Sequence, residues 1–242
     1  IPGRVLRLQS GFYTIQTAQG KVTCSLRGRL KRRTFQGDVI AVGDDVRISL
    51  VQGGGAIEEI LPRASALVRS DPTPRGEYHQ ILLANIDQVV FVFVCANPEP
   101  HLSMLDRFVV IAEKQSIPAE IVANKVDLIG LQAAQRLFAM YPPLGYPVLY
   151  TSAAQRLGVE ELRATLAGKL SGLAGPSGVG KSSLLNAVQP ELGLAVRDVS
   201  QANTKGRHTT VVRELFPLEA GGWVADLPGL RAVALWDTEP EE

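Results

Sequence analysis

Gly175-Pro-Ser-Gly-Val-Gly-Lys-Ser-Ser183 is the stretch on which the reading of this chain turns. It fits G-x-x-x-x-G-K-[ST], the pattern of a loop that cradles phosphate with its own backbone. Gly175, Gly178 and Gly180, with Ser177 and Val179 between them, let successive N–H groups turn inward onto phosphate oxygens. Lys181 would reach the β- and γ-phosphates, Ser182 would ligate Mg²⁺ through its hydroxyl, and Ser183 would follow at the first turn of a helix. The flanks agree. Leu170-Ser-Gly-Leu-Ala174 reads as a short buried strand, and Ser183-Leu-Leu-Asn-Ala-Val188 reads as a helix whose N-terminus faces the anion. The odd feature is position, since the loop begins about 175 residues into a chain of 242.

Working outward, the remainder of the chain is that of a protein with a substantial core. Apolar residues make up 45% and charged residues 20%, which suggests one large or two modest domains. The net charge of +1 hides an asymmetry: residues 1–70 carry 11 Lys/Arg against 5 Asp/Glu, and the rest carry 14 against 19. A basic leading segment beside an acidic remainder points to a polyanion-binding module joined to something else. Cys24 and Cys95 read as small buried hydrophobes in a reducing compartment. No signal peptide is expected, and the longest apolar run, Val89 to Ala96, is too short to span a membrane. The chain starts at Ile1, so residues preceding it are expected.

Residues 1–69 read as β, with strands near Gly3–Leu8, Phe12–Thr17, Lys21–Leu26, Asp45–Val51 and Ala56–Leu61. Five short strands with Gly-rich turns predict a small barrel of the OB-fold type. Between the third and fourth lies Arg27-Gly-Arg-Leu-Lys-Arg-Arg33, where Arg27, Arg29, Lys31, Arg32 and Arg33 are candidates for neutralising RNA phosphates. No aromatic residue interleaves this run, so base stacking is not predicted there. Ser70-Asp-Pro-Thr-Pro-Arg-Gly76 reads as a break, giving a linker over 70–77. From 78 to 237 strands alternate with helices, which predicts a mainly parallel α/β sheet. Residues 238–242 read as the stub of a further domain.

Three more patterns fall where strands end, the place at which open α/β sheets bind ligands. Asn124-Lys-Val-Asp127 is N-K-x-D. A buried Asp127 carboxylate would accept from guanine N1–H and its 2-amino group, two donors that adenine lacks. Asn124 would fix the loop and touch the base edge, and the Lys125 stem would cover base and ribose. Thr151-Ser152-Ala153 fits a backbone donor to guanine O6. Asp226-Leu-Pro-Gly229 offers Asp226 to Mg²⁺ and the Gly229 N–H to a γ-phosphate. Between this and the phosphate loop, Gly206-Arg-His-Thr-Thr210 has the polarity of a switch, with Thr209 or, preferably, Thr210 as a Mg²⁺ ligand. His79 and His101 read as surface residues, and three scattered histidines support no metal site. All the patterns point to GTP with Mg²⁺.

Their order is unusual. In ordinary GTPases the phosphate loop comes first, whereas here Asn124–Asp127 and Thr151–Ala153 precede it. That is a circular permutation, which nearby domain termini allow. With the basic barrel in front and the G-P-S-G-V-G-K-S-S and G-R-H-T-T sequences, the chain closely resembles the RsgA/YjeQ/EngC family, permuted GTPases of small ribosomal subunit maturation. The resemblance implies a monomeric cytoplasmic enzyme. It would hydrolyse GTP to GDP, bind the small (30S) ribosomal subunit and its rRNA, and be stimulated by that subunit. Leu230 follows Gly229 where other GTPases carry a water-orienting Gln; the resemblance gives that role to His208, beside Lys181. It also implies a helical domain holding zinc, yet Cys24 and Cys95 cannot build such a site. The competing readings are an ATP-dependent kinase or ATPase, which Asp127 opposes, and an RNA-binding adaptor with a weakly active nucleotide site.

Overall fold

The computed structural model describes residues 1–31, 37–51, 53–73, 76–194 and 214–227; of residue 31, 70–73, 76 and 77 the backbone alone is described. Strands β1 (Pro2–Gln9), β2 (Phe12–Thr17), β3 (Gly20–Leu26), β4 (Asp45–Val51) and β5 (Gly54–Ile60) close into a barrel in the order β1-β2-β3-β5-β4. Alternation explains the closure. Val5, Ile15, Cys24, Leu26, Val46, Ile48 and Ile57 point inward and form one apolar cluster, while the intervening polar residues face outward. Only β3 and β5 run parallel. The basic stretch, expected as loop, begins with one helical turn, α1 (Gly28–Lys31), and Leu30 seals the barrel core beneath it.

Where a linker is expected, residues 70–73, 76 and 77 are strand. Strands β6 (Ala66–Thr73) and β7 (Gly76–Ala84) pair antiparallel from Ala66↔Ala84 to Thr73↔Gly76. A two-stranded ribbon has no interior strand, so Pro72 costs it no obligatory ladder bond.

The second domain is one six-stranded sheet. Strands β8 (Gln88–Val94), β9 (Ala119–Asn124), β10 (Val148–Tyr150), β11 (Leu170–Ala174), β12 (Leu215–Pro217) and β13 (Trp223–Asp226) lie in the order β10-β9-β8-β11-β13-β12. All neighbours are parallel except β12 and β13. The sequence of β8 shows why it lies inside. Val89, Phe91 and Phe93 face one way, against Leu105, Phe108 and Val109 of α2 (Leu102–Lys114). Val90, Val92 and Val94 face the other way, against Leu162 of α4 (Val159–Leu166) and Leu184 and Leu185 of α5 (Lys181–Val188). A strand buried on both faces is what helices on either side of a parallel sheet require. The remaining helix, α3 (Leu131–Leu137), follows the N-K-x-D turn.

Residues 39–44 fasten the barrel to the sheet. Fully buried Asp44 accepts from the Ala41 N–H at 2.7 Å and from Arg63 Nε and Nη2 at 2.6 and 2.8 Å. The loop so held offers Val42 O to the Ala84 N–H at 2.9 Å and Gly43 O to Asn85 Nδ2 at 3.0 Å. Gly43 sits at φ +92°, and a Cβ there would lie 2.1 Å from Ala84 O. Gly43→Ala should therefore loosen this seam at a cost of roughly 1–3 kcal/mol. A lowered urea midpoint of the whole chain would register it; an unchanged midpoint would show that the seam yields without strain. Elsewhere β1 meets the start of β12 through an Arg7↔Glu214 bridge and a 3.5 Å ion pair.

Candidate nucleotide site

The C-terminal ends of β9, β8, β11 and β13 converge on the phosphate loop. Gly175 leaves β11 so close to β8 that a Cβ would lie 2.1 Å from Val92 O. Gly180, at φ +92°, would bring a Cβ to 2.6 Å from Asn124 Nδ2. Both glycines are therefore required by close approach as well as by conformation. Lys181 Nζ donates to Gly175 O at 3.0 Å and to Pro176 O at 3.1 Å, so the ammonium is held above the loop's own carbonyls. The first-turn N–H groups of α5 lack intrahelical acceptors and carry the positive end of its dipole, which favours an anion there.

Asp226 closes the other side. It ends β13 in register with Leu173 of β11, and its Oδ1 is buried with no hydrogen-bond partner among the described residues. Burial raises its carboxyl pKa, and the Lys181 charge opposes that rise. A buried carboxylate oxygen without a donor is unfavourable, and a hydrated divalent cation shared with the half-buried Ser182 would supply the missing partner. The residues present therefore fit Mg²⁺. No group of three or more His, Cys, Asp or Glu able to hold a metal occurs among the described residues. Cys24 lies in the barrel core and Cys95 beside the sheet, in separate clusters, so these two cannot share a zinc.

The base end is built from N-K-x-D and the loop after β10. Asn124 is only 1% exposed. Its Nδ2 donates to Val179 O at 2.8 Å, and its Oδ1 accepts from Thr151 Oγ1 at 3.1 Å. The side chain thus ties the phosphate loop to the Thr151 loop, and its burial leaves little of it for the expected contact with a base edge. Asn124→Ala should strand Val179 O and Thr151 Oγ1 in the interior. A loss of about 1–3 kcal/mol follows, read as a lowered melting temperature together with weakened nucleotide binding; a variant as stable as the parent would refute the tie.

Lys125, at φ +62°, donates from Nζ to Gly178 O at 3.0 Å and to Asn97 O. Burial lowers its pKa, with the Asp127 charge acting the other way. Asp127, expected to be buried, is exposed on the 3₁₀ turn Val126–Leu128. Ser152 is fully buried and commits its N–H to Leu157 O at 3.0 Å, while its Oγ accepts from the Gln155 N–H. The Ser152 N–H is therefore engaged within its own loop. Asn97 and the Thr151 side chain join the site through partners 28 and 27 residues away, which no local pattern reveals.

Cys95 ends beside this pocket. Burial, reinforced by the Asp127 charge, pushes its thiol up to about 11, and burial raises Cys24 as well. At pH 8 both thiols stay protonated, so the native protein should resist iodoacetamide and react fully once denatured. Rapid native alkylation would overturn this.

Arg27 and Arg29 converge on Glu58, at 2.8 and 3.3 Å, so part of the basic stretch is charge-compensated. The Lys31 side chain, Arg32, Arg33, His208, Thr209, Thr210, Gly229 and Leu230 lie outside the described residues, as do 238–242.

A phosphate loop, a guanine-type N-K-x-D turn and an acidic residue at the next strand end, gathered on one parallel sheet in permuted chain order, define a circularly permuted P-loop GTPase. The enzyme is a GTP hydrolase. It belongs to the RsgA GTPase family: the family model described as RsgA GTPase matches residues 60–236, and that described as RsgA N-terminal domain matches residues 2–57. The protein of Gemmatimonas aurantiaca named small ribosomal subunit biogenesis GTPase RsgA is 46% identical over 242 residues, covering 98% of this chain and 78% of that one. The protein of the same name from Moorella thermoacetica is 44% identical over 235 residues, covering 96% and 76%. Among solved structures, YjeQ from Thermotoga maritima superposes with a TM-score of 0.78 at 36% identity, over all of this chain and 79% of that one. YloQ, described as a circularly permuted GTPase, gives 0.71 at 30% identity, over all of this chain and 75% of the other.

Proposed function

We propose that this GTPase acts on the small ribosomal subunit during its maturation, with the barrel as the RNA-facing module. The single observation that carries the reading is the joint match of barrel and permuted nucleotide domain to one family whose relatives are named for that role. In this reading GTP lies along the strand ends. Asp127 accepts from the guanine N1–H and 2-amino group, the Ala153 N–H meets O6, and Lys125 lies along the base and ribose. Lys181 leaves its two carbonyls for the β- and γ-phosphates, and the α5 N-terminus holds the β-phosphate. Ser182 and Asp226, joined by Thr210 from the switch stretch, would hold Mg²⁺, which neutralises charge developing on the phosphates. His208 is assigned to the attacking water, because Leu230 cannot orient it. The protein works as a cytoplasmic monomer; among the described residues no helix is long and apolar enough to cross a membrane.

Cosedimentation tests the partner. The chain with a non-hydrolysable GTP analogue should pellet with purified small subunits and not with large ones. Absence of binding to small subunits under low salt would refute the partner while leaving the GTPase intact.

A further inference from the structure

Strand β1 serves two domains at once. Val5 pairs with Ile15 of β2, and both lie in the barrel cluster. Alternation alone would send Arg7 inward as well. The register shifts between Val5 and Arg7, so that Arg7 pairs with Thr14 instead; Thr14 adjoins inward Ile15, and Arg7 is turned outward. Leu6, 1% exposed, joins the apolar cluster of the second domain, in which Leu215 of β12 is equally buried. Arg7 then forms an antiparallel bridge with Glu214, the residue before β12, and its Nη1 lies 3.5 Å from Glu214 Oε2. Its Nε is buried with no hydrogen-bond partner among the described residues, so part of the guanidinium is enclosed in the junction.

Glu214 stands beside the phosphate chemistry. β12 and β13 pair antiparallel with Leu215 opposite Ala225, and the same register runs on to set Glu214 level with Asp226. On its other side Asp226 is in register with Leu173 of β11, a strand buried throughout. The Glu214 side is weaker. β12 is three residues long and lies at the edge of its sheet, so it has few bonds of its own to resist local opening. What steadies its start comes from the barrel, as Leu6 in the shared cluster and Arg7 on Glu214.

A half-exposed ion pair adds little to global stability; its placement is what matters here. We propose that Arg7 is a positioning residue for the Mg²⁺ carboxylate: by holding Glu214, the first strand of the barrel fixes the end of β13 and with it the carboxylate of Asp226. Arg7 acts through Glu214 and is no part of the metal's ligand set. This rests on the reading of Asp226 as a Mg²⁺ ligand and deepens it, because the nucleotide site is then incomplete without the barrel.

The test mixes the full chain with a fluorescent, non-hydrolysable GTP analogue and titrates in Mg²⁺. The readout is the Mg²⁺ concentration at half-saturation, with the melting temperature in parallel. Arg7→Ala and Glu214→Gln should each raise that concentration roughly 2- to 30-fold. The double variant should be no worse than either alone, because both remove one interaction. Arg7→Lys, which keeps the charge, should recover most of the loss. Arg4→Ala is the control: it breaks the 2.9 Å Arg4–Asp45 pair of the same strand, which lies within the barrel, and should leave the Mg²⁺ curve at the parent's. Asp226→Asn should raise the requirement further than any of these. An Arg7→Ala curve that matches the parent, even with a lowered melting temperature, or an Arg4→Ala shift of the same size, would overturn the positioning role while leaving Asp226 a ligand. An Asp226→Asn curve that matches the parent would sink the Mg²⁺ reading, and the positioning role with it.

Discussion

Lys181→Ala is expected to lower single-turnover GTP hydrolysis by about 10²–10³-fold, the scale on which removal of one preorganised charge acts at a developing anion. The ammonium already sits at the centre of the loop, on Gly175 O and Pro176 O, and its field reaches half-buried Asp226. Removing it deletes the cation that would meet the β- and γ-phosphates and deepens the electrostatic isolation of Asp226. Arginine should not restore the rate, because a planar fork cannot replace a compact ammonium held by two carbonyls. Phosphate release measured in a single turnover, with nucleotide affinity in parallel, reads both effects. A variant within a few-fold of the parent would mean that the loop binds no phosphate.

The second large effect concerns the base. Asp127→Asn should cost roughly 10²–10⁴-fold in GTP affinity, since each hydrogen bond to a charged group contributes about 1.5–3 kcal/mol; the variant leaves one bond uncharged and turns the other acceptor into a donor facing the guanine amine. Xanthosine triphosphate, which presents a carbonyl where guanine has an amine, should gain affinity in return. Because Asp127 is exposed, the substitution should leave the melting temperature unchanged, which separates a lost contact from a damaged fold. Competition against a fluorescent guanine nucleotide measures it. Retained GTP preference in the variant would remove Asp127 from the base pocket.

What was legible in the sequence was local. The alternation in β8 is enough to place it between two helical layers, because every second residue must find its own apolar partner. The barrel strands are marked by inward residues two apart and by glycines at their turns. The phosphate loop and N-K-x-D are readable because their chemistry needs fixed spacings, and their order announces the permutation. What was hidden depends on distance along the chain. Pro72 and Pro74 signal a break, yet a two-stranded ribbon tolerates proline, so the hairpin over 66–84 looks like a linker until its pairing is seen. Asn124 has the right motif for a base contact, and only its bond to Val179 O, 55 residues away, shows that the amide is engaged in joining loops. The Ser152 N–H is engaged more locally, by Leu157 O in a tight loop whose pairing the three-residue pattern does not show. The solitary Oδ1 of Asp226 is likewise a property of packing, invisible in a four-residue pattern.

The permuted site on this chain is expected to turn over GTP in the service of the small ribosomal subunit. Phosphate release from GTP, measured with Mg²⁺ while purified small subunits are titrated in, decides this. The predicted result is slow turnover by the chain alone that rises with added small subunits, is insensitive to large subunits and is lost in His208→Ala without loss of GTP affinity. Turnover that ATP supports equally well, or that small subunits leave unchanged at saturating GTP, would contradict it.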